Sequence, residues 1–287
     1  MIVGLAMLGG GVAAGVFGSL LGLGGGVLIV PLLTLGFGLP LREAVGISLV
    51  SVIVTSSAAA GVYLERHVAN LRLGMSLELF TAMGALVGGL VAFAIDERLL
   101  ALLFAGLLGY VAVTMARSAA ADRGGGGVVP ASADETVLPP PAEVDVPPPR
   151  PDAGGFVERL SGPGYHVGRL GTGVVGATGA GIVSALLGIG GGTVKVPLMH
   201  LAMGVPLRVA TATSNLMIGI TAAAGAAIYF LRGGIDAYVA GPIAIGVFVG
   251  ATVGSRIAPR VDVRFLRWAF VIVLGYTAIQ MLLRAIR

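Results

Sequence analysis

Apolar positions along this chain follow neither the alternation of a half-buried strand nor the narrow stripe of a soluble helix; they fill long runs punctuated by glycine, proline and short charged clusters. In the first half the runs cover about residues 2–21, 27–39, 44–64, 73–95 and 99–115. A helix needs roughly 20 mostly apolar residues to cross about 30 Å of hydrocarbon, so four of these runs predict membrane spans. The run at 27–39 is too short to cross alone. It is bracketed by Gly24, Gly25 and Gly26 on one side and Pro40 on the other, which predicts half of a broken or re-entrant hairpin, because irregular backbone at membrane depth is tolerated where protein buries it. The same five runs return between about residues 167 and 286.

The return is a duplication. GLGGGVLIVPLLTLGFGLPLR from Gly22 reappears as GIGGGTVKVPLMHLAMGVPLR from Gly188, at a constant offset of 166. Between Gly22 and Tyr63 the two copies share 18 of 42 positions without a gap. The offset also carries Ser48 onto Ser214, Thr55 onto Thr221, Gly84 and Gly88 onto Gly250 and Gly254, Asp96 onto Asp262, and Tyr110 onto Tyr276. Shared composition does not keep register over that distance.

Composition fixes the setting. With 56% hydrophobic residues, 11% charged and a mean hydropathy of +0.98, the chain lacks the roughly 25% of charged residues with which a soluble domain covers its surface. The first run has no basic leader and no small-residue exit, and its counterpart lies mid-chain, so it is expected to be a retained helix. A net charge of +4 does not indicate nucleic acid here, because the arginines sit singly at segment ends. With no cysteine, disulfides and thiolate metal sites are excluded. Residues 119–164 are of other material, with Gly124 to Gly127 and two triple-proline runs, and are expected to be a disordered tether. The chain therefore divides into a first transmembrane repeat (1–118), a Pro/Gly-rich linker (119–164) and a second repeat (165–287).

Arginine placement predicts how the repeats are oriented, since cytoplasmic loops carry the excess of positive charge. If each repeat crosses an odd number of times, twelve arginines fall on the linker side. Five, Arg42, Arg98, Arg232, Arg284 and Arg287, fall on the other. Parallel repeats give the weaker split of 10 to 7. The expectation is an all-α polytopic protein of two inverted repeats in the cell inner membrane, with the linker cytoplasmic and both termini outside.

The paired G-[LI]-G-G-G-x3-V-P-x-L elements, each followed by G-[LV]-P-L-R and a Ser/Thr-bearing helix, resemble the sulfite exporter TauE/SafE family of membrane transporters. The resemblance covers both repeats. It implies transport of small sulfur-containing anions such as sulfite or organosulfonates.

The residues support an anion site independently. Consecutive glycines at a helix break leave backbone N–H groups uncovered, and the helix that follows points its positive end at the break. In transporters built of inverted repeats such broken helices meet near the midplane. Gly24, Gly25, Gly26, Gly190, Gly191 and Gly192 are therefore candidate substrate contacts, with Thr193 beside them. The spaced glycines, Gly11 and Gly15, Gly84 and Gly88, Gly250 and Gly254, fit close helix packing better. Lys195 stands where the first copy has Ile29, and a lysine inside an apolar run costs at least about 2.5–3.5 kcal/mol. It is expected to serve as countercharge to the anion; snorkelling to the interface or hydrogen bonding to loop carbonyls is the blander alternative. Ser48, Ser51 and Thr55 share one helical face, as do Thr211, Ser214 and Asn215, and either coordinate substrate, bond between helices or satisfy backbone groups. Glu78 is expected to be hydrated or paired with Arg72, with proton coupling as the alternative. His200 is expected to be packed or to face a loop, with a proton-carrying role as the alternative. Asp96 and Asp262 read as charges capping short turns.

No paired carboxylates, Ser/His/Asp set or metal cluster is present in the sequence pattern, so the expected partners are a small anion and the bilayer, with no cofactor and no enzymatic activity. Coupling to a proton or sodium ion is left open. The competing readings are an anion channel and a non-transporting scaffold or sensor.

Overall fold

The computed structural model describes residues 2–20, 26–65, 69–121, 160–161, 165–257 and 263–286. The calls that fall on Gly24, Gly25, Asp262 and most of the 119–164 linker lie outside them. Regular structure among the described residues is helical, with no β-strand. The first repeat has α1 (Ile2–Leu20), α2 (Gly26–Pro31) running on into a π-helical turn (Leu32–Gly36), α3 (Leu41–Glu65), α4 (Leu71–Ala94) and α5 (Glu97–Ala121). The second has α6 (Leu170–Leu187), α7 (Gly192–Pro197) with its π turn (Leu198–Ala202), α8 (Leu207–Leu231), α9 (Ala237–Ile257) and α10 (Val263–Ile286). From α2 onward every helix of the second repeat begins 166 residues after its counterpart. Five helices are long and apolar enough to cross a membrane by length and composition: Leu71–Ala94, Glu97–Arg117, Leu170–Leu187, Val209–Leu231 and Ala237–Gly254.

The short helices end alike for a local reason. Pro31 and Pro197 lack the N–H that the α-helical ladder needs, and the backbone continues in the wider π spacing. Gly38 and Gly204, at φ 71° and 74°, then stop the helix in the left-handed region that glycine adopts without a Cβ clash. Leu39 N–H reaches Leu33 O at 3.1 Å, and Val205 N–H reaches Met199 O at 3.0 Å, the same closure in both copies.

Each repeat packs its helices on the other. α1 lies on α9, and α6 lies on α4, its repeat-related counterpart arrangement. Both contacts are backbone-close. A Cβ added at Gly15 would lie 2.4 Å from Val247 O, one at Gly250 2.2 Å from Val12 O, one at Gly84 2.2 Å from Thr178 O and one at Gly88 2.4 Å from Ile182 O. In both pairs rising numbers meet rising numbers, so the partners run parallel.

The repeat-related helices α3 and α8 face each other and run the opposite way. Gly46 lies against Tyr229 and Gly234, Leu49 against Gly225, and Ser56 against Gly219, while Ser56 Oγ donates to Asn215 O at 2.8 Å. α5 and α10 are likewise antiparallel, because Glu97, Arg98 and Ala101 share a cavity of about 170 Å³ with Met281 and Arg284. The arginines of one end gather there and nearby: Arg284 donates to Thr34 O at 2.9 Å, Arg42 donates to Ala92 O and Ile95 O, and Arg42 and Arg232 each sit 5.9 Å from the Phe93 ring. At the other end of α4, Asn70 caps Leu73 N–H and donates to Leu160 O and to the Tyr165 hydroxyl.

Candidate functional site

The second glycine break is fully described. α6 ends at Leu187, and Gly188, Gly190 and Gly191 follow at φ 71°, 74° and 77°, a left-handed succession that side chains bearing a Cβ adopt only under strain. The chain then enters α7 at Gly192. α3 and α8 close over this turn: a Cβ at Gly190 would lie 2.8 Å from Val52 and 2.7 Å from Ile218.

Three hydroxyls face or flank the break without a hydrogen-bond partner, those of Ser184, Thr193 and Ser214. Ser184 and Ser214 are both 0% exposed. Ser184 Cβ lies 3.2 Å from the point where a Gly191 Cβ would stand, and Ser214 Oγ lies 3.8 Å from the corresponding point at Gly192. A buried hydroxyl without a partner forfeits about 1–3 kcal/mol of desolvation, so three around one turn form a buried polar cluster whose hydrogen-bonding capacity the described residues leave unused.

The described end of the first break meets the second, but through carbonyls. Ser48 Oγ lies 2.7 Å from Gly188 O and 3.1 Å from Gly26 O, and donates its single proton to this pair. The two repeat-related serines thus differ: Ser48 is committed to the backbone, Ser214 is not. Of the other hydroxyls on the predicted faces, Ser51 donates to Ile47 O at 3.1 Å, Thr55 to the carbonyls of Ser51 and Val52, and Thr211 to Leu207 O at 2.9 Å. Each bonds back onto its own helix. Asn215 is half-buried, and its carbonyl takes the Ser56 hydroxyl.

Lys195 is 1% exposed, so it does not snorkel. α7 aims it between α4 and α8, where its ammonium donates to Thr221 Oγ1 and lies 3.3 Å from Glu78 Oε2. Thr221 in turn donates to Glu78 Oε1 at 2.6 Å, with Met217 O also in reach at 3.1 Å. The expectation that Glu78 is hydrated or paired with Arg72 is corrected: α4 presents Leu77, Glu78 and Thr81 to its neighbours as a buried face, whereas Arg72 is exposed. The aliphatic end of Lys195 still passes the break, with Cε 3.5 Å from the Gly191 Cβ point. His200 faces a loop as expected, its Nδ1 2.9 Å from Val205 O.

The structure therefore gathers Gly190, Gly191, Gly192, Thr193, Lys195 and Ser214 of the predicted set and adds Ser184, Thr221 and Glu78. Ser184 occupies the position of Gly18 in the first copy and Glu78 that of Ala244 in the second. Comparing the copies for such polar-for-apolar differences is the signal that finds both.

Comparison with known proteins agrees with this architecture. The family model described as Sulfite exporter TauE/SafE matches residues 7–281. The chain is 24% identical over 286 residues to "Probable membrane transporter protein YunE" of Bacillus subtilis, covering 96% of each. It is 27% identical to "Probable membrane transporter protein MJ0441" of Methanocaldococcus jannaschii, over 95% of this chain and 93% of the relative. It is also 27% identical to "Probable membrane transporter protein MamO" of Magnetospirillum gryphiswaldense, where it spans 45% of the longer relative. No solved structure gives a significant match.

Proposed function

The chain belongs to the sulfite exporter TauE/SafE family of membrane transporters, and from that premise we propose that it carries a small sulfur-containing anion, sulfite or an organosulfonate, by alternating access at the second glycine break. The observation that carries the substrate class is the set of buried, unpartnered hydroxyls of Ser184, Thr193 and Ser214 around that break. Three unpartnered hydroxyls around one turn suit an acceptor with several oxygens and no proton to give. In the first turn of α7 the Val194 and Lys195 N–H groups are already taken by Gly191 O. Thr193 and Ser214 are direct contacts in this reading. Ser51, Thr55 and Thr211 support the helices around them.

In the same reading the repeats are inverted. The support is directional: α1 runs parallel with α9, α8 turns into α9 over residues 232–236, α4 runs parallel with α8, Gly74 meeting Met217 and Gly89 meeting Ile228, and α6 runs parallel with α4. Followed through these contacts, α6 opposes α1, its equivalent in the first repeat. Arg42, Arg98, Arg232 and Arg284 collect at one end, the minority side of the arginine count, which favours an outer face there and a cytoplasmic linker in an inner-membrane protein. With repeats of 1–118 and 165–287 related in this way, alternating access works by one part of each repeat moving against the rest.

Calorimetry of the purified protein against sulfite, thiosulfate, sulfoacetate and simple alkanesulfonates tests the class and the substrate together. Saturable binding, with counterflow of the bound anion in liposomes, is the expected result. Voltage-driven conductance without counterflow would make the protein a channel. Absence of binding across the panel overturns the anion reading.

A further inference from the structure

We infer that Glu78, Lys195 and Thr221 form a proton-binding site linked to the anion site beside them, so that one proton enters with each monovalent anion. This rests on the anion reading above and adds the coupling ion to it.

The fold itself does not require the charges. The repeat-related positions hold Ile29, Thr55 and Ala244, and Ile29 is 0% exposed, so the scaffold packs an apolar version of the same junction. Burial of an ion pair is seldom a gain over apolar residues of similar volume. The second junction borders the unpartnered hydroxyls of the glycine break: the Lys195 stem and Ser184 both lie against the Gly191 turn.

With Glu78 ionised, the pair is neutral and the ammonium charge is taken. When a proton from bulk water forms an O–H bond at one carboxyl oxygen of Glu78, Lys195 keeps its three N–H groups and its charge loses its balance. A monovalent anion at the break restores it. Both states are then neutral as a whole, which a low-dielectric site demands. Proton and anion each strengthen the other's binding by the same factor.

No other described group competes for the role. α4 carries one further titratable residue, Arg72, which is exposed. α6 has none. α8 has Arg208 in its first turn and Tyr229, whose hydroxyl donates to Ala185 O. The π turn after α7 carries His200, exposed and held by Val205 O. Among the described residues Lys195 is the charged group in contact with Glu78.

The test uses full-length protein in micelles with methanesulfonate, a monovalent anion that stays ionised through the neutral range. Calorimetry in buffers of different ionisation enthalpy counts protons. About one proton taken up per anion is expected, with affinity falling about tenfold per pH unit once Glu78 is ionised. Glu78→Gln should bind the anion with no proton uptake and no pH dependence. Should that variant fail to fold, the double Glu78→Ala, Lys195→Ile reproduces the apolar junction, and should bind more weakly with no uptake. Wild-type binding without proton exchange, or uptake that survives in either variant, overturns the coupling alone. No binding of methanesulfonate or of the wider anion panel overturns the anion reading and this inference with it.

Discussion

Removing one partner of the Glu78–Lys195 pair should cost far more stability than removing both. At 3.3 Å the attraction is about 5 kcal/mol for an effective dielectric near 20, while each buried ion has forgone several kcal/mol of hydration. The two terms nearly cancel in the intact pair. Lys195→Ile leaves a carboxylate that is 4% exposed with Thr221 as its side-chain donor among the described residues, and Glu78→Ala leaves a fully buried ammonium; about 3–5 kcal/mol is expected for either. The double variant copies the Ile29 and Ala244 arrangement and should lose no more than about 1 kcal/mol relative to wild type, giving an interaction energy of several kcal/mol in the cycle. Unfolding of the four proteins in mixed micelles, followed by circular dichroism against the fraction of denaturing surfactant, measures it. Losses that simply add in the double variant would refute the reasoning, as would single variants within about 1 kcal/mol of wild type.

Other consequences separate stability from binding. Ser184→Ala and Ser214→Ala remove hydroxyls that have no partner, so melting temperature should hold or rise while anion affinity drops about tenfold, the worth of one hydrogen bond; Ser48→Ala, which strips the donor from Gly188 O and Gly26 O, should instead cost about 1–3 kcal/mol. Gly181→Val should destabilise the protein by about 1–3 kcal/mol or more in a thermal melt, because a Cβ there would stand 2.0 Å from Thr81 O, whereas Gly179→Ala, with nothing within 4 Å, should melt as wild type. Deleting residues 124–151 should leave methanesulfonate binding within about threefold in calorimetry, as expected of a tether.

Much of this architecture is legible in the sequence because the membrane allows few choices. Apolar length predicts a helix at each run, five of them long and apolar enough to span among the described residues, and the GxGGG and Pro punctuation predicts the short helices, whose bounds repeat at the same offset of 166. Gly84, Gly88 and Gly250 are correctly read as packing positions, since spacing alone places them on one face. Hydroxyl function is less legible. Ser48 and Ser214 are identical in type and in repeat position, yet one closes a carbonyl junction and the other stands open; only the neighbouring backbone distinguishes them. Glu78 was hard to place because its partner lies 117 residues away on a helix of the other repeat, a distance over which periodicity carries no information.

The face-to-face, antiparallel meeting of α3 with α8 has a consequence for how such a molecule comes together. Two separate single-repeat chains inserted in opposite senses would present those same surfaces to one another, and would have to find each other by lateral diffusion. Joined in one chain, the encounter is governed by an effective concentration that the connecting segment sets, and both halves are made in equal number. Severing the chain between the repeats and co-producing the pieces should therefore yield a complex that assembles at a concentration-dependent rate. Once assembled, it should match the intact protein in binding.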